Sequence, residues 1–163
     1  MNERGEDWFT TIYHTHYGQI VNYGRRRRLD GDGAAELAQE VFIVAWRRRT
    51  DVPAHSLPWL YGVARRLLAN SRRAAPLPVP VPDLGHLVDP PSVDAEADVG
   101  LVEVRAALAG LSEPDQEILR LVGWEELTVS EAAVVLGCTR ATAAVRLHRA
   151  RRRLVAALAR TRS

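Results

Sequence analysis

The sequence has almost no cysteine: Cys138 is the only one among 163 residues. A single cysteine excludes an internal disulfide and any metal site that needs several cysteine ligands. The sequence also lacks a hydrophobic run of the signal-peptide type and any stretch of about 18 apolar residues that could cross a bilayer. We therefore expect a cytoplasmic protein with no membrane insertion, no metal and no cofactor, in which Cys138 has a packing role.

Catalytic motifs are missing as well. There is no glycine-rich phosphate loop and no Ser-His-Asp or Cys-His set, and His14 and His16 would lie on different faces of a helix. Glu36 and Glu40 share a helix face, as an all-helical hydrolase with a metal site would require, but no second metal-binding pair accompanies them. We predict that the chain is not an enzyme and has no catalytic residues.

Positive charge is absent from the middle of the chain. The sequence holds 22 basic residues, all arginine, and 20 acidic residues. Residues 76–104 contain six of the acidic residues and no arginine, and six of the nine prolines lie at positions 76, 78, 80, 82, 90 and 91. Prolines at this density exclude a helix and favour an extended path. We predict two basic domains, residues 1–74 and 99–163, joined by an acidic Pro-rich linker at 75–98. Composition alone leaves open whether this linker is only a passive spacer or has a function of its own.

The second domain contains the pattern of a helix-turn-helix motif. In TVSEAAVVLGC, residues 128–138, Thr128 and Glu131 fit a capping box, and Gly137 fits the left-handed residue that ends a helix. Thr139 can then cap a second, basic helix. Because glycine turns between helices also occur in ordinary bundles, the turn alone does not decide between a bundle and a DNA-binding motif.

The basic helix, TRATAAVRLHRARRRL at residues 139–154, has an apolar stripe and a face of uniform sign. The apolar stripe consists of Ala143, Leu147, Ala150, Leu154 and Leu158. The opposite face consists of Ala141, Val145, His148, Arg149 and Arg152. A merely solvated face normally offers glutamates four residues from arginines, and this face has none. Small residues followed by arginines favour insertion into the major groove of DNA.

The first domain contains three predicted helices. The first helix runs from about Asp7 to Tyr23, and LDGDG breaks the chain near Gly31 and Gly33. The core stripe of the next segment, residues 33–49, consists of Ala34, Leu37, Ala38, Val41, Val44 and Ala45. Its far side carries Ile43 and Trp46 beside Glu36, Gln39 and Arg47. Apolar residues on both faces indicate complete burial or a partner surface, and the interleaved charges favour the partner surface.

The third helix, HSLPWLYGVARRLLANSRR at residues 55–73, starts near Ser56. Its predicted buried stripe consists of Leu57, Leu60, Val63, Ala64, Leu67 and Ser71. Its other face holds Gly62, Arg65, Arg66, Ala69, Arg72 and Arg73, with Trp59 and Tyr61 at the edges. Aromatic rings beside arginines are typical of surfaces that bind single-stranded nucleic acid. The alternative is that both rings are edges of the core, where helical aromatics usually pack.

Three motifs in this order resemble those of extracytoplasmic-function sigma factors: AELAQEVFIVAWRR, LPWLYGVARRLLANSRR, and LSEPDQEILRL followed by LTVSEAAVVLGCTRATAAVRLHRARRRL. The similarity runs from about Trp8 to Leu158. It implies an all-α protein of two small helical domains, sigma region 2 and helix-turn-helix sigma region 4. It also implies a protein that binds RNA polymerase core, through the β′ and β subunits, and directs promoter-specific transcription initiation in response to a stress or developmental signal. Promoter DNA and an anti-sigma protein are the other partners that the resemblance implies.

The resemblance also gives roles to residues by their position in the motifs. The residues that match the helix reading the minus-thirty-five element are Thr139, Arg140, Ala144, Val145, His148, Arg149 and Arg152. Those that match the segment recognising and melting the minus-ten element are Trp59, Arg65, Arg66, Asn70 and Arg72. Those that match the core-polymerase-binding segment are Glu36, Gln39, Glu40, Ile43 and Trp46.

Two positions and one loop depart from the family pattern. Arg66 stands where the family often has asparagine, and Ala144 stands where a lysine or arginine is frequent. The loop at residues 50–56 is short for the segment that captures a flipped base. The amino-acid sequence therefore does not predict which promoter sequence the protein recognises. An autonomous helix-turn-helix regulator that binds an operator as a dimer is the alternative function, although the sequence has no heptad seam for a dimer interface.

Overall fold

The computed structural model describes the backbone of residues 4–74 and 98–161, and the side chains of residues 4–71 and 100–161. Within these ranges the chain forms seven helices and no strand. The helices are α1 (Glu6–Arg26), α2 (Gly31–Arg47), α3 (Ser56–Ala74), α4 (Asp98–Ala109), α5 (Glu113–Gly123), α6 (Val129–Leu136) and α7 (Arg140–Thr161). The predicted all-α class is confirmed. None of the described helices has both the length and the apolar character of a bilayer-spanning segment.

Contacts divide the chain into two compact units, Met1–Val88 and Asp89–Ser163. The first unit contains α1 to α3 and the second contains α4 to α7. Nearly all of the predicted acidic linker, residues 75–97, lies outside the described residues, and α4 begins at Asp98.

In the first unit, α1 and α2 are antiparallel neighbours joined by a tight turn. The side chain of Asp30 accepts a hydrogen bond of 2.6 Å from the backbone N–H of Gly33 and so caps α2. Gly31 and Gly33 therefore lie in the first turn of α2, and the predicted break comes earlier, at residues 27–30. A Cβ atom on Gly24 would lie 3.2 Å from the Cβ of Ala34, so the missing side chain lets the two helices approach closely.

The core of the first unit lies where all three helices meet. Its large, fully buried residues include Ile20, Tyr23, Val41, Phe42 and Leu60. Of the predicted stripe of α2, five members are buried and Val44 is half-buried. The amphipathic pattern of α2 thus predicted its buried face correctly.

The predicted buried stripe of α3 is confirmed at Leu60, Val63 and Ala64, while Leu57 and Leu67 are half-buried and the edges of the stripe differ from the prediction. Ser71, predicted to be buried, is exposed, whereas Leu68 is buried. Gly62 and Tyr61, predicted for the outer face and its edge, are both buried, and Tyr61 is only 2% exposed. The reason is that α3 contacts α1 as well as α2, so its first turns are covered from two sides.

In the second unit, α7 lies against each of the other three helices. A cluster of Ile118, Ala133, Ala143, Leu147 and Ala150 forms the centre of this contact. The predicted apolar stripe of α7 is confirmed at its first three positions, while Leu154 and Leu158 are half-buried. Cys138 packs against the same cluster from the turn between α6 and α7, in agreement with its predicted packing role. The sequence pattern did not predict α4, whose Val102 and Val104 are exposed.

Candidate nucleic-acid interface

Residues 128–142 form a helix-turn-helix with capping at each predicted position. Thr128 Oγ1 accepts from the backbone N–H of Glu131 at 3.1 Å, and the Glu131 carboxylate accepts from the N–H of Thr128 at 2.9 Å. Gly137 ends α6 at φ 68°, where a side chain would be strained. Thr139 Oγ1 accepts from the N–H of Thr142 at 3.1 Å and thereby caps α7. The turn that aims α7 is therefore fixed by local hydrogen bonds that the sequence specifies.

The solvent face of α7 contains every residue that was assigned to the minus-thirty-five element. All seven are exposed: Thr139, Arg140, Ala144, Val145, His148, Arg149 and Arg152. Val145 is 50% exposed. Around Val145 the small side chains of Ala141 and Ala144 leave the helix surface flat, so a duplex can come close to it.

Thr139, which caps α7, and Arg153 within α7 both have partners within the protein. The hydroxyl of Thr139 both accepts from the Thr142 N–H and donates to Thr142 Oγ1 at 2.9 Å, so it serves the helix cap. Arg153 Nη1 donates to both carboxylate oxygens of Asp115, at 3.0 and 2.8 Å. Of the neighbouring arginines, Arg152 faces solvent while Arg153 ties α7 to α5.

On α3, three residues assigned to the minus-ten element lie along one line. Trp59, Arg66 and Asn70 are spaced by seven and four residues, which places them on one side of the helix, and Arg65 lies on the adjacent row. Arg66 and Asn70 are exposed, while Trp59 and Arg65 are half-buried. The side chain of Arg72 lies outside the described residues.

The two predicted aromatic edges of α3 have different environments. Trp59 is half-buried, and the Arg48 guanidinium lies 5.8 Å from its ring centroid. Tyr61 packs against Tyr23 of α1 with ring centroids 5.3 Å apart. Tyr61 is therefore a core residue, and Trp59 is the aromatic side chain of α3 that can meet a base.

The outward face of α2 carries the residues assigned to polymerase binding. Glu36, Gln39 and Glu40 are exposed, and Ile43 is 49% exposed. Trp46 is half-buried, because its ring meets the ring of Phe9 edge to face at 5.4 Å and lies under the Arg49 guanidinium at 4.3 Å. Ile43 is thus the exposed apolar anchor, and Trp46 forms the border between this face and the core.

An aromatic row on α1 borders the same face and was not predicted. Phe9, Tyr13 and Tyr17 follow one another at intervals of four residues, all half-buried, with Tyr13 and Tyr17 ring centroids 4.9 Å apart. Phe42 of α2 contacts all three rings from the core side. The spacing of the three aromatic residues was the available signal in the sequence.

The described residues contain no group of three or more His, Cys, Asp or Glu side chains arranged to hold a metal ion. The acidic pair Glu36 and Glu40 lies on the solvent side of α2.

Two protein families match the two units. Sigma-70 region 2 matches residues 12–75, and Sigma-70 region 4 matches residues 101–154. Among curated proteins, the chain is 31% identical over 132 residues to the ECF RNA polymerase sigma factor EcfG of Rhodopseudomonas palustris, covering 79% of this chain and 73% of EcfG. It is 27% identical over 154 residues to the RNA polymerase sigma factor YlaC of Bacillus subtilis, covering 89% of this chain and 88% of YlaC.

Solved structures show the same fold. CnrH, in complex with the cytosolic domain of CnrY, is 20% identical with a TM-score of 0.65 over 94% of this chain and 89% of CnrH. The sigma factor RpoE of Bartonella quintana, in complex with the anti-sigma factor NepR, is 21% identical with a TM-score of 0.61 over 90% of this chain and 96% of RpoE. The helical architecture of the two units is therefore one that sigma factors adopt.

Proposed function

Because the chain belongs to the extracytoplasmic-function family of RNA polymerase sigma factors, we propose that its three exposed helix faces divide the work of promoter recognition. Sigma factors are transcription initiation factors that bind RNA polymerase and direct it to promoters. In this proposal α7 reads the minus-thirty-five element, α3 melts and reads the minus-ten element, and α2 holds the core polymerase. The proposal rests above all on the solvent face of α7, which is exposed, free of acidic residues and aimed by a capped turn.

On α7, the exposed residues divide into those that contact bases and those that contact phosphates. Ala144 and Val145 offer apolar surface that fits thymine methyl groups, and His148 and Arg149 can donate to base edges. Arg140 and Arg152 add positive charge for the phosphate backbone. The cap at Thr139 orders the first turn, which leaves other backbone N–H groups at the helix N-terminus directed at DNA.

On α3, the exposed side chains suit DNA that has lost its base pairing. An unpaired base can stack on the Trp59 ring, and Arg65, Arg66 and Arg72 can follow the phosphates of that strand. Asn70 can both donate to and accept from a base edge. Stacking and charge contacts of this kind offset the free energy needed to unstack a few base pairs, so the mechanism is physical and needs no bond-breaking step by the protein.

On α2, an apolar anchor surrounded by polar residues suits a protein partner. Ile43 would insert into a pocket of the core polymerase, with Glu36, Gln39 and Glu40 forming the polar rim and Trp46 its edge. The β′ and β subunits are the proposed contacts. Because RNA polymerase works on the chromosome, we place the protein in the cytoplasm.

An anti-sigma protein is a further proposed partner. CnrH and RpoE are each described in complex with another protein, CnrY and the anti-sigma factor NepR respectively. The fold that they share with this chain supports restraint of the same kind here. A stress or developmental signal would then release the sigma factor.

A gel shift with genomic DNA fragments tests the proposed function. The purified chain is incubated with the fragments in the presence and absence of core polymerase. We expect specific shifted complexes only when core is present, and we expect them to be lost with an Ile43→Glu variant. Tight and specific duplex binding by the chain alone would instead support the autonomous regulator.

A further inference from the structure

Four consecutive arginines, residues 25–28, occupy the last turn of α1 and the start of the turn to α2, and they have no role in the proposed function above. We propose that Arg25, Arg26 and Arg28, here called the arginine corner, bind the DNA phosphate backbone beside the minus-ten element, with Arg28 as the principal contact. The inference rests on the proposed function, because it extends the DNA-binding surface of the first unit from α3 to the end of α1.

Arg27 packs on Tyr23 at the end of α1. It is only 3% exposed, its guanidinium lies 3.5 Å from the centroid of the Tyr23 ring, and its Nη1 donates to the Tyr23 carbonyl at 3.2 Å. Tyr23 in turn packs on Tyr61, which lies one helical turn before Arg65 on α3. The end of α1 is therefore held next to the helix that carries the minus-ten residues.

Arg28 has a left-handed backbone conformation, which is strained for any residue with a side chain. The N–H of Leu29 donates to the carbonyl of Gly24, and the N–H of Arg28 donates to that of Arg25, both at 3.1 Å, which is the Schellman arrangement. This arrangement requires a left-handed residue after the helix, and Arg28 has φ 73°. Glycine adopts that conformation without steric cost and is the usual residue there.

The same chain uses glycine at the equivalent position of another helix. At the end of α6, Gly137 has φ 68°, and the N–H groups of Cys138 and Gly137 donate to the carbonyls of Ala133 and Val134. The two turns have the same geometry but different residues. Strained backbone conformations are often found at functional residues. We therefore infer that the Arg28 side chain has a binding role.

The charge of the corner favours phosphate over a protein partner. Arg26 and Arg28 are exposed and Arg25 is half-buried. Within the described part of the chain, Arg28 forms no ion pair, and the nearby Asp30 carboxylate accepts from the Gly33 N–H. Stabilisation of the α1 C-terminus by cations accounts for Arg25 and Arg26, which lie in its last turn, but not for an additional charge at Arg28. Among the residues that the structure describes, no exposed large apolar side chain lies next to these arginines in the sequence, whereas protein interfaces are centred on such anchors.

The test uses Arg28→Gly in the full chain, reconstituted with core polymerase on a promoter fragment recovered from the gel shift. This substitution removes the charge and also the strain, so the fold should be at least as stable as the wild type. Arg28→Lys keeps the charge, and Glu126→Gly relieves a left-handed residue in the second unit, at φ 58°, as the matched control. Promoter affinity is measured as a function of salt concentration, core binding is measured without DNA, and thermal unfolding reports the fold.

We expect Arg28→Gly to weaken promoter binding by up to about eightfold at 0.1 M salt and to reduce the salt slope by about 0.9, as for the loss of one phosphate contact. Arg28→Lys and Glu126→Gly should bind promoters nearly as the wild type does, and no variant should change core binding.

Unchanged promoter affinity and slope for Arg28→Gly would overturn the proposal. Loss of core binding without DNA would overturn it in favour of a protein contact. If the wild-type holoenzyme bound no promoter, the proposed function itself would fail. If it binds, and Arg66→Gln on α3 weakens promoter binding while Arg28→Gly does not, the minus-ten assignment stands and the arginine corner alone is overturned.

Discussion

Arg153 Nη1 donates to both oxygens of the Asp115 carboxylate, at 3.0 and 2.8 Å, and so connects the basic helix α7 to the first turn of α5. The Asp115 side chain is 11% exposed and the Arg153 side chain is 56% exposed. Arg152, the preceding residue, is exposed on the face proposed to bind DNA. Adjacent arginines in one run therefore have different environments, and we expect substitutions of the two to have different effects.

We expect Arg153→Ala to lower the free energy of unfolding of the second unit by about 1 kcal/mol, because Asp115 loses a charged partner while solvent screens the exposed arginine. Arg152→Ala should leave stability unchanged, weaken all promoters to a similar extent, and lower the salt slope by about 1. Thermal unfolding and promoter binding at several salt concentrations check both variants. An equal loss of stability from the two substitutions would contradict the assignment.

The left-handed residues on either side of α6 should respond oppositely to substitution. Gly137→Ala forces a side chain into φ 68° and should destabilise the second unit by about 1 kcal/mol. Glu126→Gly at φ 58° should be neutral or stabilise by up to about 1 kcal/mol, because the relief of strain is partly offset by the greater entropy of glycine in the unfolded chain. Urea unfolding of the two variants measures both effects, and a tolerated Gly137→Ala would argue against the turn geometry.

Ile43→Glu should weaken core-polymerase binding by at least about tenfold, as expected for the loss of an interface anchor, and leave the helical content unchanged. Val155→Glu introduces the same charge at an apolar side chain that is 66% exposed on α7 and serves as the control. Circular dichroism and a pull-down with core polymerase decide the outcome. Unfolding of the Ile43→Glu variant would mean that the side chain belongs to the core. Trp46→Ala is a less specific probe, because its ring also packs on Phe9.

His148→Ala and Val145→Lys should change which minus-thirty-five sequence is preferred, because base contacts specify a site while phosphate contacts position the protein. Each altered base contact should change discrimination at one base pair by about 1–3 kcal/mol. Selection of binding sites from a randomised minus-thirty-five element, with reconstituted holoenzyme, provides the measurement. If the His148→Ala variant lost affinity equally on every sequence, His148 would be a positioning residue and not a reading one.

The parts of the fold that depend on local sequence were predictable. The capping box of Thr128 and Glu131, the left-handed Gly137 and the apolar stripe of α7 each involve residues within a few positions of one another. Hydrogen bonds over such short separations are decided by residue type and spacing. The exposed Ile43 was predictable for the same reason, because it interrupts an otherwise polar helix face.

The features that escaped prediction depend on contacts between distant residues. Tyr61 is buried because Tyr23 of α1 packs on its ring, and the periodicity of α3 carries no information about α1. Arg153 is bound to a carboxylate 38 residues away, and the arginine run of α7 carries no information about that partner. The Arg27 guanidinium lies on an aromatic ring in the interior, although a run of four arginines indicates a solvated turn.

The most direct test of the central claim is run-off transcription in vitro. The template carries a promoter recovered from the gel shift, and the reaction contains core polymerase with or without the purified chain. The account predicts one transcript with a defined start site that requires both the chain and core polymerase, and that is lost when the minus-thirty-five element is scrambled. The account would be contradicted if the chain bound the same DNA without polymerase and gave no transcript when core polymerase was added.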